Sequence, residues 1–207
     1  MYAVIKFLVR LYFRIVYNLH FEGKNNIPKG ESVIYASNHR SYADPPLVGC
    51  GARGKLCFMA KEELFEKKLF AWLIRSLGAF PVARGKGDTG VIDTAVANLN
   101  GGRSMMIFPE GTRSKDGKVG RGHTGAALIA AKADKRIVPV GVVYGEKLKF
   151  RTKVTVKYGE PIDPKEYVDD VNEPNPRQLV KLKNRYMAEI KTLVEGAPET
   201  GEENADE

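Results

Sequence analysis

Short apolar runs alternate with amphipathic stretches from about residue 20 to residue 195, and this alternation constrains the fold more than any other feature of the chain. Apolar runs this short are typical of buried strands, whereas apolar residues that recur every three or four positions are typical of helices. Strands that alternate with helices form a mostly parallel sheet. We therefore predict an α/β fold, in which a mostly parallel sheet is flanked by helices.

Six segments are predicted strands and five are predicted helices. The strands lie at 32–37, 56–60, 79–82, 104–108, 137–142 and 154–158. The helices lie at 45–51, 64–77, 89–100, 124–133 and 176–195. Because no internal repeat or long linker divides this region, we predict a single α/β domain over residues 21–194.

The first twenty residues are apolar except for a basic stripe formed by Lys6, Arg10 and Arg14. With about 3.6 residues per turn, this spacing places the three charges on one narrow side of a helix. The charges interrupt the apolar segment too often for a membrane-spanning helix or a secretory signal peptide. We predict that residues 1–20 form an amphipathic membrane-associating helix with its cations at the lipid headgroups. The alternative is an amphipathic helix that packs on the protein core.

The charge of the chain is divided unevenly along its length. There are 33 Lys and Arg residues against 25 Asp and Glu, but residues 195–207 hold six acids and no Lys or Arg. The net charge of +8 therefore conceals +14 on residues 1–194, which indicates an anionic partner. We predict that residues 195–207 form a disordered acidic tail. No helix-turn-helix, zinc or stacking-aromatic pattern accompanies the positive charge, so no nucleic-acid partner is predicted.

The loop after the first predicted strand contains a histidine and an aspartate that can act together. His39 and Asp44 lie five positions apart, and two prolines place a helix start directly after Asp44. With His39 in the loop and Asp44 at the helix start, the carboxylate can accept one ring N–H and leave the other nitrogen free as a general base. The alternatives are an aspartate that only caps the helix and a histidine bonded to backbone.

A second polar loop follows the strand predicted at 104–108. Gly111 permits a close approach of backbone to ligand, Thr112 offers a hydroxyl, and Arg113 has a planar guanidinium suited to a phosphate. Glu110 can orient Arg113 or accept a hydrogen bond from a substrate hydroxyl. The alternative is a polar turn with a surface arginine.

Two further segments follow or form predicted strands. Arg84 follows the strand at 79–82 and can supply a second phosphate contact, although a lone arginine at such a place is commonly exposed to solvent. The segment 137–141 has no polar side chain, and it predicts either an apolar wall of a site or a buried strand.

The order and contents of these four segments resemble the glycerolipid acyltransferase family, best known from the 1-acyl-glycerol-3-phosphate (lysophosphatidate) acyltransferases. The family's first signature, an Asn-His followed by four residues and an Asp, is matched by Asn38, His39 and Asp44. Its other three signatures are matched by residues 78–85, 108–113 and 138–140. The resemblance covers roughly residues 20–145, and four ordered signatures are far more specific than any one of them.

The resemblance implies an enzyme that transfers an acyl group from a thioester to the 2-hydroxyl of lysophosphatidate and so makes phosphatidate. It implies that His39 deprotonates this hydroxyl and that Asp44 orients His39. The residues that it places at the acceptor's phosphate are Arg84, Glu110, Gly111, Thr112 and Arg113. Asn38 and Pro139 are expected to have an acyl-chain or structural role.

The resemblance also implies the partners of the reaction. The acyl donor is expected to be acyl-CoA or acyl carrier protein as a co-substrate, with no cofactor and no metal. The other partners are lysophosphatidate, with another glycerolipid or lysolipid left open as the acceptor, and a phospholipid surface. We expect the protein at the cytoplasmic face of the cell membrane, in a peripheral or monotopic position. For His123 two alternatives stay open, a loop histidine without a role, which we favour, and a histidine that faces the site. Apart from the resemblance, Cys50 and Cys57 are predicted to be small core residues, since neither has metal-ligand spacing.

Two other classes of function compete with this interpretation. A dinucleotide-binding fingerprint, Gly-x-Gly-x-x-Gly, is formed by Gly85, Gly87 and Gly90. Glu110 follows at the distance of the ribose-binding acid of an NAD-dependent oxidoreductase, but it follows a proline, and Arg84 stands where an apolar strand residue is expected. A noncatalytic protein that only docks on anionic membranes would not need a His–Asp pair.

Overall fold

A mostly parallel sheet flanked by helices forms the body of the molecule, as the sequence predicts. In the described residues it has seven strands, one more than the six predicted. The computed structural model describes residues 2–82, 89–171 and 173–196. In these ranges the strands are β1 (Asn18–Glu22), β2 (Ile34–Ser37), β3 (Leu56–Lys61), β4 (Ala79–Val82), β5 (Ser104–Ile107), β6 (Ile137–Val143) and β7 (Lys153–Tyr158). The helices are α1 (Tyr2–Val16), α2 (Asp44–Gly51), α3 (Lys68–Ser76), α4 (Thr89–Asn100), α5 (Gly125–Ala133) and α6 (Pro176–Glu195).

The sheet is parallel over five neighbouring strands. Its order is β1-β7-β6-β2-β5-β3-β4, and only β7 and β1 run opposite to the rest, because β7 pairs antiparallel with β6. The central strands β2 and β5 pair directly, with Ile34 beside Met105. The loops after these two strands therefore leave the same edge of the sheet side by side, which is where ligands bind in such folds.

The hydrophobic core lies on both faces of the sheet. On one face, α4, α5 and α6 pack against it through buried residues such as Leu99, Ile129 and Leu182. On the other face, α2 contributes Leu47, and Phe13 of α1 packs on the edge of that cluster. Because helices cover both faces, the central strands are buried along their length, and this explains why β2 and β6 are apolar without alternation.

The predicted helix over residues 1–20 is too long, because α1 ends at Val16 and residues 18–22 form β1. The Arg151 N–H donates to the Val16 carbonyl at 2.6 Å, and Asn18 then pairs beside Lys153 of β7. The chain leaves the helix at this point to complete the edge of the sheet. The boundary predicted at residue 20 therefore cuts through a strand of the α/β domain.

The helix predicted over 64–77 is interrupted in the structure. A 3-10 turn over Glu62–Phe65 precedes α3, and Lys67 between them has an extended backbone. The interruption lets Phe65 pack against Ala60 and Ile74. Tertiary packing thus overrides a continuous helical pattern at this point.

The helix α1 is held to the protein by its polar residues. The Leu56 N–H donates to the Tyr2 hydroxyl at 3.0 Å, and the Lys6 ammonium donates to the Ala52 carbonyl at 2.9 Å. Burial lowers the pKa of Lys6. The prediction that Lys6 lies at lipid headgroups is therefore wrong, since it contacts the protein. Arg10 lies 5.8 Å from the centre of the Phe21 ring, also beside the protein.

The side of α1 that faces solvent is apolar. Its large exposed side chains are Val4, Phe7, Leu8, Leu11, Tyr12 and Ile15. The helix thus packs on the protein, as the core-packing alternative predicts. It also presents an exposed apolar face, which a membrane-associating helix requires. Within residues 2–82, 89–171 and 173–196, the structure has no helix long and apolar enough to cross a membrane.

Candidate active site

The predicted contact between His39 and Asp44 is present at the carboxyl end of β2. His39 lies in the loop, Asp44 is the first residue of α2, and the Nδ1 atom of His39 is 2.9 Å from Oδ2 of Asp44. Asp44 is fully buried, and the side chain of His39 is 18% exposed. A buried carboxylate thus holds a histidine whose ring reaches the surface.

Asp44 holds the loop as well as the ring. Its Oδ2 atom also accepts the N–H groups of Arg40 at 2.6 Å and Ser41 at 2.7 Å. The helix cap is Ala43, and the Asp44 side chain turns back to the preceding loop. This geometry contradicts the alternative in which Asp44 only caps α2.

The ring of His39 is fixed from two sides. Phe108, directly after β5, stacks on it with ring centres 4.1 Å apart and an interplanar angle of 22°. Because Asp44 occupies Nδ1, the proton on that nitrogen leaves Nε2 as the basic atom. Among the residues that the structure describes, none hydrogen-bonds to Nε2. The imidazole is therefore oriented with its basic nitrogen available to a ligand.

Glu110 links the loops that follow β2 and β5 through two hydrogen bonds. Its Oε1 atom accepts the His39 N–H at 2.9 Å, and its Oε2 atom accepts the Gly120 N–H at 2.8 Å. The residue is only 8% exposed. Both oxygens are thus used within the protein, and the structure does not place Glu110 as a direct phosphate ligand. It acts on the site by fixing the backbone of His39.

Arg113 is exposed and rests on Tyr42, a residue that the sequence interpretation did not single out. The guanidinium lies 3.8 Å from the centre of the Tyr42 ring, and its Nη2 atom donates to the Tyr42 hydroxyl at 3.1 Å. The Ser114 N–H donates to the His39 carbonyl at 2.7 Å. The residue that follows Arg113 is therefore hydrogen-bonded to the backbone of His39, and the Tyr42 ring orients the Arg113 guanidinium.

Gly111 occupies a left-handed backbone conformation, with φ of +70°, that side chains disfavour. A Cβ atom at this position would lie 3.4 Å from the ring of His123. His123 therefore lies beside the loop that carries Gly111. Thr112 is exposed on the same loop, so its hydroxyl is available to a ligand.

Asn38 and Pro139 both lie in the structural frame beneath the site. The Asn38 side chain exchanges two hydrogen bonds with the backbone of Val142, at 3.1 Å and 2.8 Å, and so ties the His39 loop to β6. Pro139 is a buried residue of β6 and pairs beside Ala36 of β2. Neither lines the apolar pocket described below. Of the two roles predicted for these residues, in acyl-chain binding or in structure, these contacts support the structural role.

Arg84 lies outside the described residues, as do Gly85 and Gly87 of the dinucleotide fingerprint. The structure therefore gives no position for the second predicted phosphate contact. Glu110, which the fingerprint would need at a ribose, has both oxygens bonded to backbone N–H groups. The oxidoreductase alternative is not favoured.

A large apolar pocket opens beside the His39 loop. Its volume is about 420 Å³, and it is lined by residues of α1, α2 and α3 and by alternate residues along β3. Tyr42, Pro45 and Pro46 form its wall on the side of the His39 loop. The lining is almost entirely hydrocarbon, so the pocket suits an extended apolar ligand. The loop that carries His39 therefore also forms part of the pocket wall.

The fold and the site define an α/β enzyme with a His–Asp pair at the carboxyl edge of its sheet. A family model described as Acyltransferase matches residues 18–143. A 1-acyl-sn-glycerol-3-phosphate acyltransferase of Streptococcus pneumoniae is 34% identical over 194 residues, which are 91% of this chain and 70% of that protein. The chain belongs to the acyltransferase family.

Two further comparisons extend over most of the chain. The 1-acyl-sn-glycerol-3-phosphate acyltransferase of Bacillus subtilis is 30% identical over 175 residues, covering 82% of this chain and 85% of that protein. The crystal structure of the 1-acyl-sn-glycerophosphate acyltransferase PlsC from Thermotoga maritima superposes with a TM-score of 0.72 at 28% identity. It covers 92% of this chain and 79% of that one.

Proposed function

We propose that this protein transfers an acyl group from an acyl thioester to the 2-hydroxyl of 1-acyl-glycerol 3-phosphate and so makes phosphatidate. The observation that carries the proposal is the 2.9 Å contact between His39 and Asp44, which leaves Nε2 of His39 available beside the loop of Arg113. The names of the relatives point to the same acceptor. We propose acyl-CoA or acyl carrier protein as the donor, with no cofactor.

In the proposed reaction, Nε2 of His39 takes the proton of the acceptor hydroxyl as its oxygen attacks the thioester carbonyl carbon. The new ester bond forms, the carbon–sulfur bond breaks, and the thiolate takes the proton back from the imidazolium. Asp44 stabilises the imidazolium between these steps and does not itself become protonated. Because the chain has no Gly-x-Ser-x-Gly nucleophile elbow, the proposal needs no acyl-enzyme intermediate.

Arg113 is the proposed phosphate ligand, with Gly111 and Thr112 on the same loop. The guanidinium is exposed, and Tyr42 already orients it, so it can bind phosphate with little loss of conformational freedom. The left-handed turn at Gly111 lets phosphate oxygens approach the backbone. A contribution of Arg84 remains a prediction from the sequence.

Replacing Arg113 with alanine is expected to raise the KM for lysophosphatidate by about ten- to a hundredfold, because a charge-assisted hydrogen bond to phosphate is lost. The KM for the acyl donor is expected to change much less. Steady-state kinetics with each substrate varied in turn checks this. Arg177→Ala, which removes an exposed arginine from the first turn of α6, is the matched control. Equal effects on both substrates would contradict the phosphate role.

The apolar pocket is the proposed place of an acyl chain. Each methylene that leaves water for such a lining gains about 0.8 kcal/mol, so a long chain is bound strongly without any polar contact. Tyr42 lines this pocket and also contacts Arg113. The proposed chain site and phosphate site therefore meet at one residue.

We propose that α1 associates with the phospholipid surface through its exposed apolar face. Phe7 is 64% exposed and Leu11 is 45% exposed, so neither is explained by packing within the chain. Arg14, also exposed, can contact headgroups at the edge of that face. We place the protein at the cytoplasmic side of the membrane, in a peripheral or monotopic position, because the proposed donors are cytoplasmic thioesters. The predicted boundary of the acidic tail at residue 195 is wrong by one residue, because Glu195 is the last residue of α6, and we propose that the residues after it take no part.

The double substitution Phe7→Glu and Leu11→Glu is expected to weaken binding to anionic vesicles by at least about tenfold, because two inserted apolar side chains become charged. Flotation with vesicles of phosphatidylglycerol and phosphatidylcholine measures the effect. Val180→Glu, on the exposed side of α6, adds a charge elsewhere and serves as the control. If the double variant floats like the parent chain, the proposal for α1 fails.

The proposed function is tested by incubating the purified chain with a matrix of acceptors and donors. The acceptors are lysophosphatidate, glycerol 3-phosphate and a neutral lysolipid, and the donors are acyl-CoA and acyl carrier protein. We expect phosphatidate from lysophosphatidate as the main product, detected by mass spectrometry. A different preferred acceptor would overturn the proposed substrate, and no product with any pair would overturn the proposed reaction.

A further inference from the structure

The short helix α3 presents an apolar face that nothing in the described structure covers. Leu69 is 82% exposed and Trp72 is 52% exposed, and Phe70 and Leu73 are also open to solvent. At 100° per residue these four side chains span an arc of about 160°. The opposite side of the helix is buried through Ala71 and Ile74. The helix is therefore anchored on one side and apolar on the other.

Cations lie at one edge of this face. On the helix, Lys68 and Arg75 come next to Trp72, and both are exposed. The sequence has no acid from residue 67 to residue 82, and the acids of the neighbouring turn, Glu62, Glu63 and Glu66, all come before the helix. An apolar face with a cationic edge complements an anionic lipid surface rather than a purely apolar partner.

The face of α3 is continuous with the surface proposed to meet lipid through α1. Phe70 and Leu73 of α3 line the same apolar pocket as Val9 and Phe13 of α1. The two helices therefore both line that pocket, and each has further apolar side chains that are exposed to solvent. A bilayer that meets both helices would cover the mouth between them.

We propose that α3 is a second lipid-contacting element, in which Leu69, Phe70, Trp72 and Leu73 enter the bilayer and Lys68 and Arg75 contact its phosphates. This inference rests on the proposed lipid association of α1. Tryptophan favours the region between headgroups and hydrocarbon, which fits its place beside the two cations. With both helices in the bilayer, the pocket opens directly to lipid, so an acyl chain enters it without crossing water.

Trp72 is the only tryptophan of the chain, so its fluorescence reports on α3 alone. We expect its emission to shift to shorter wavelengths when vesicles of phosphatidylglycerol and phosphatidylcholine are added to the full chain. We also expect quenching when the vesicles contain brominated acyl chains. If the chain floats with the vesicles but the emission of Trp72 changes in neither way, the proposal is overturned.

A substitution at the most exposed position tests the same contact independently. Leu69→Glu is expected to weaken vesicle binding by roughly tenfold, since a leucine that enters lipid becomes a charge in hydrocarbon. Val180→Glu is expected to bind like the parent chain, because Val180 lies on α6. Equal binding of both variants and the parent would overturn the role of α3. Circular dichroism confirms that Leu69→Glu is folded.

The possible results separate the proposals from one another. Loss of binding for the α1 double variant but not for Leu69→Glu leaves the proposal for α1 in place and removes that for α3. Concentration-dependent dimerisation that Leu69→Glu abolishes, with no Trp72 response to vesicles, would show that a second copy covers α3 and would overturn lipid contact. Acyl transfer by the parent chain to detergent-dispersed lysophosphatidate tests the proposed reaction without any bilayer.

Discussion

Replacing His39 with alanine is expected to lower kcat for acyl transfer by about a hundred- to ten-thousandfold, the range that a general base contributes. The structure gives this histidine one bond to a buried carboxylate and leaves its other nitrogen available to a hydroxyl. The two side chains that contact this imidazole are a phenyl ring and a carboxylate held by backbone N–H groups. Neither can take a proton from the acceptor in that geometry.

The assay for His39→Ala follows thiol release and phosphatidate formation at saturating concentrations of both substrates. Vesicle binding is expected to be unchanged, because the substitution leaves the exposed apolar side chains of α1 and α3 as they are. His20→Ala, which removes the exposed histidine of β1, is the matched control and should keep full activity. Turnover at the parental rate in His39→Ala would show that the general base is another group.

Replacing Asp44 with asparagine is expected to lower kcat by about a hundred- to ten-thousandfold while changing both KM values little, because it removes the charge that stabilises the imidazolium. One oxygen of Asp44 accepts hydrogen bonds from the His39 ring and from two backbone N–H groups. Asparagine has only one oxygen, and its amide group donates, so it cannot keep the ring's tautomer and the loop fixed with the same strength.

Asp44→Asn also has a specific signature in combination with His39→Ala. Because the two residues act as one unit, the double variant is expected to be no less active than His39→Ala alone. Asp93→Asn, on the exposed side of α4, is the matched control. Multiplicative losses in the double variant would mean that Asp44 acts through something other than His39.

The sequence predicts the parts of this fold that depend on local pattern. β2 and β5 carry apolar runs, and the two prolines directly after Asp44 mark the start of a helix. The structure confirms the predicted contact between His39 and Asp44. It was predictable because the two residues lie only five positions apart and the helix begins at Asp44. The resemblance to the acyltransferase family is confirmed by the comparisons.

The features that the sequence does not predict depend on contacts between distant segments. β1 is an edge strand with alternating exposure, and only its pairing with β7 shows that residues 18–22 do not continue α1. Glu110 follows a strand as a phosphate-loop residue does, but its partners are backbone N–H groups 71 and 10 residues away along the chain. Lys6 belongs to a regular basic stripe in the sequence, but its hydrogen bond to the Ala52 carbonyl arises only because the end of α2 packs beside α1.

The attachment of α1 to the end of α2 has a mechanical consequence. Asp44 stands at one end of α2, and the Ala52 carbonyl that receives the Lys6 ammonium stands just past the other end. The helix proposed to contact lipid is therefore attached directly to the helix that carries the aspartate. In the proposed arrangement, this attachment sets the distance between His39 and the lipid surface, and the acceptor's hydroxyl has to reach His39 over that distance.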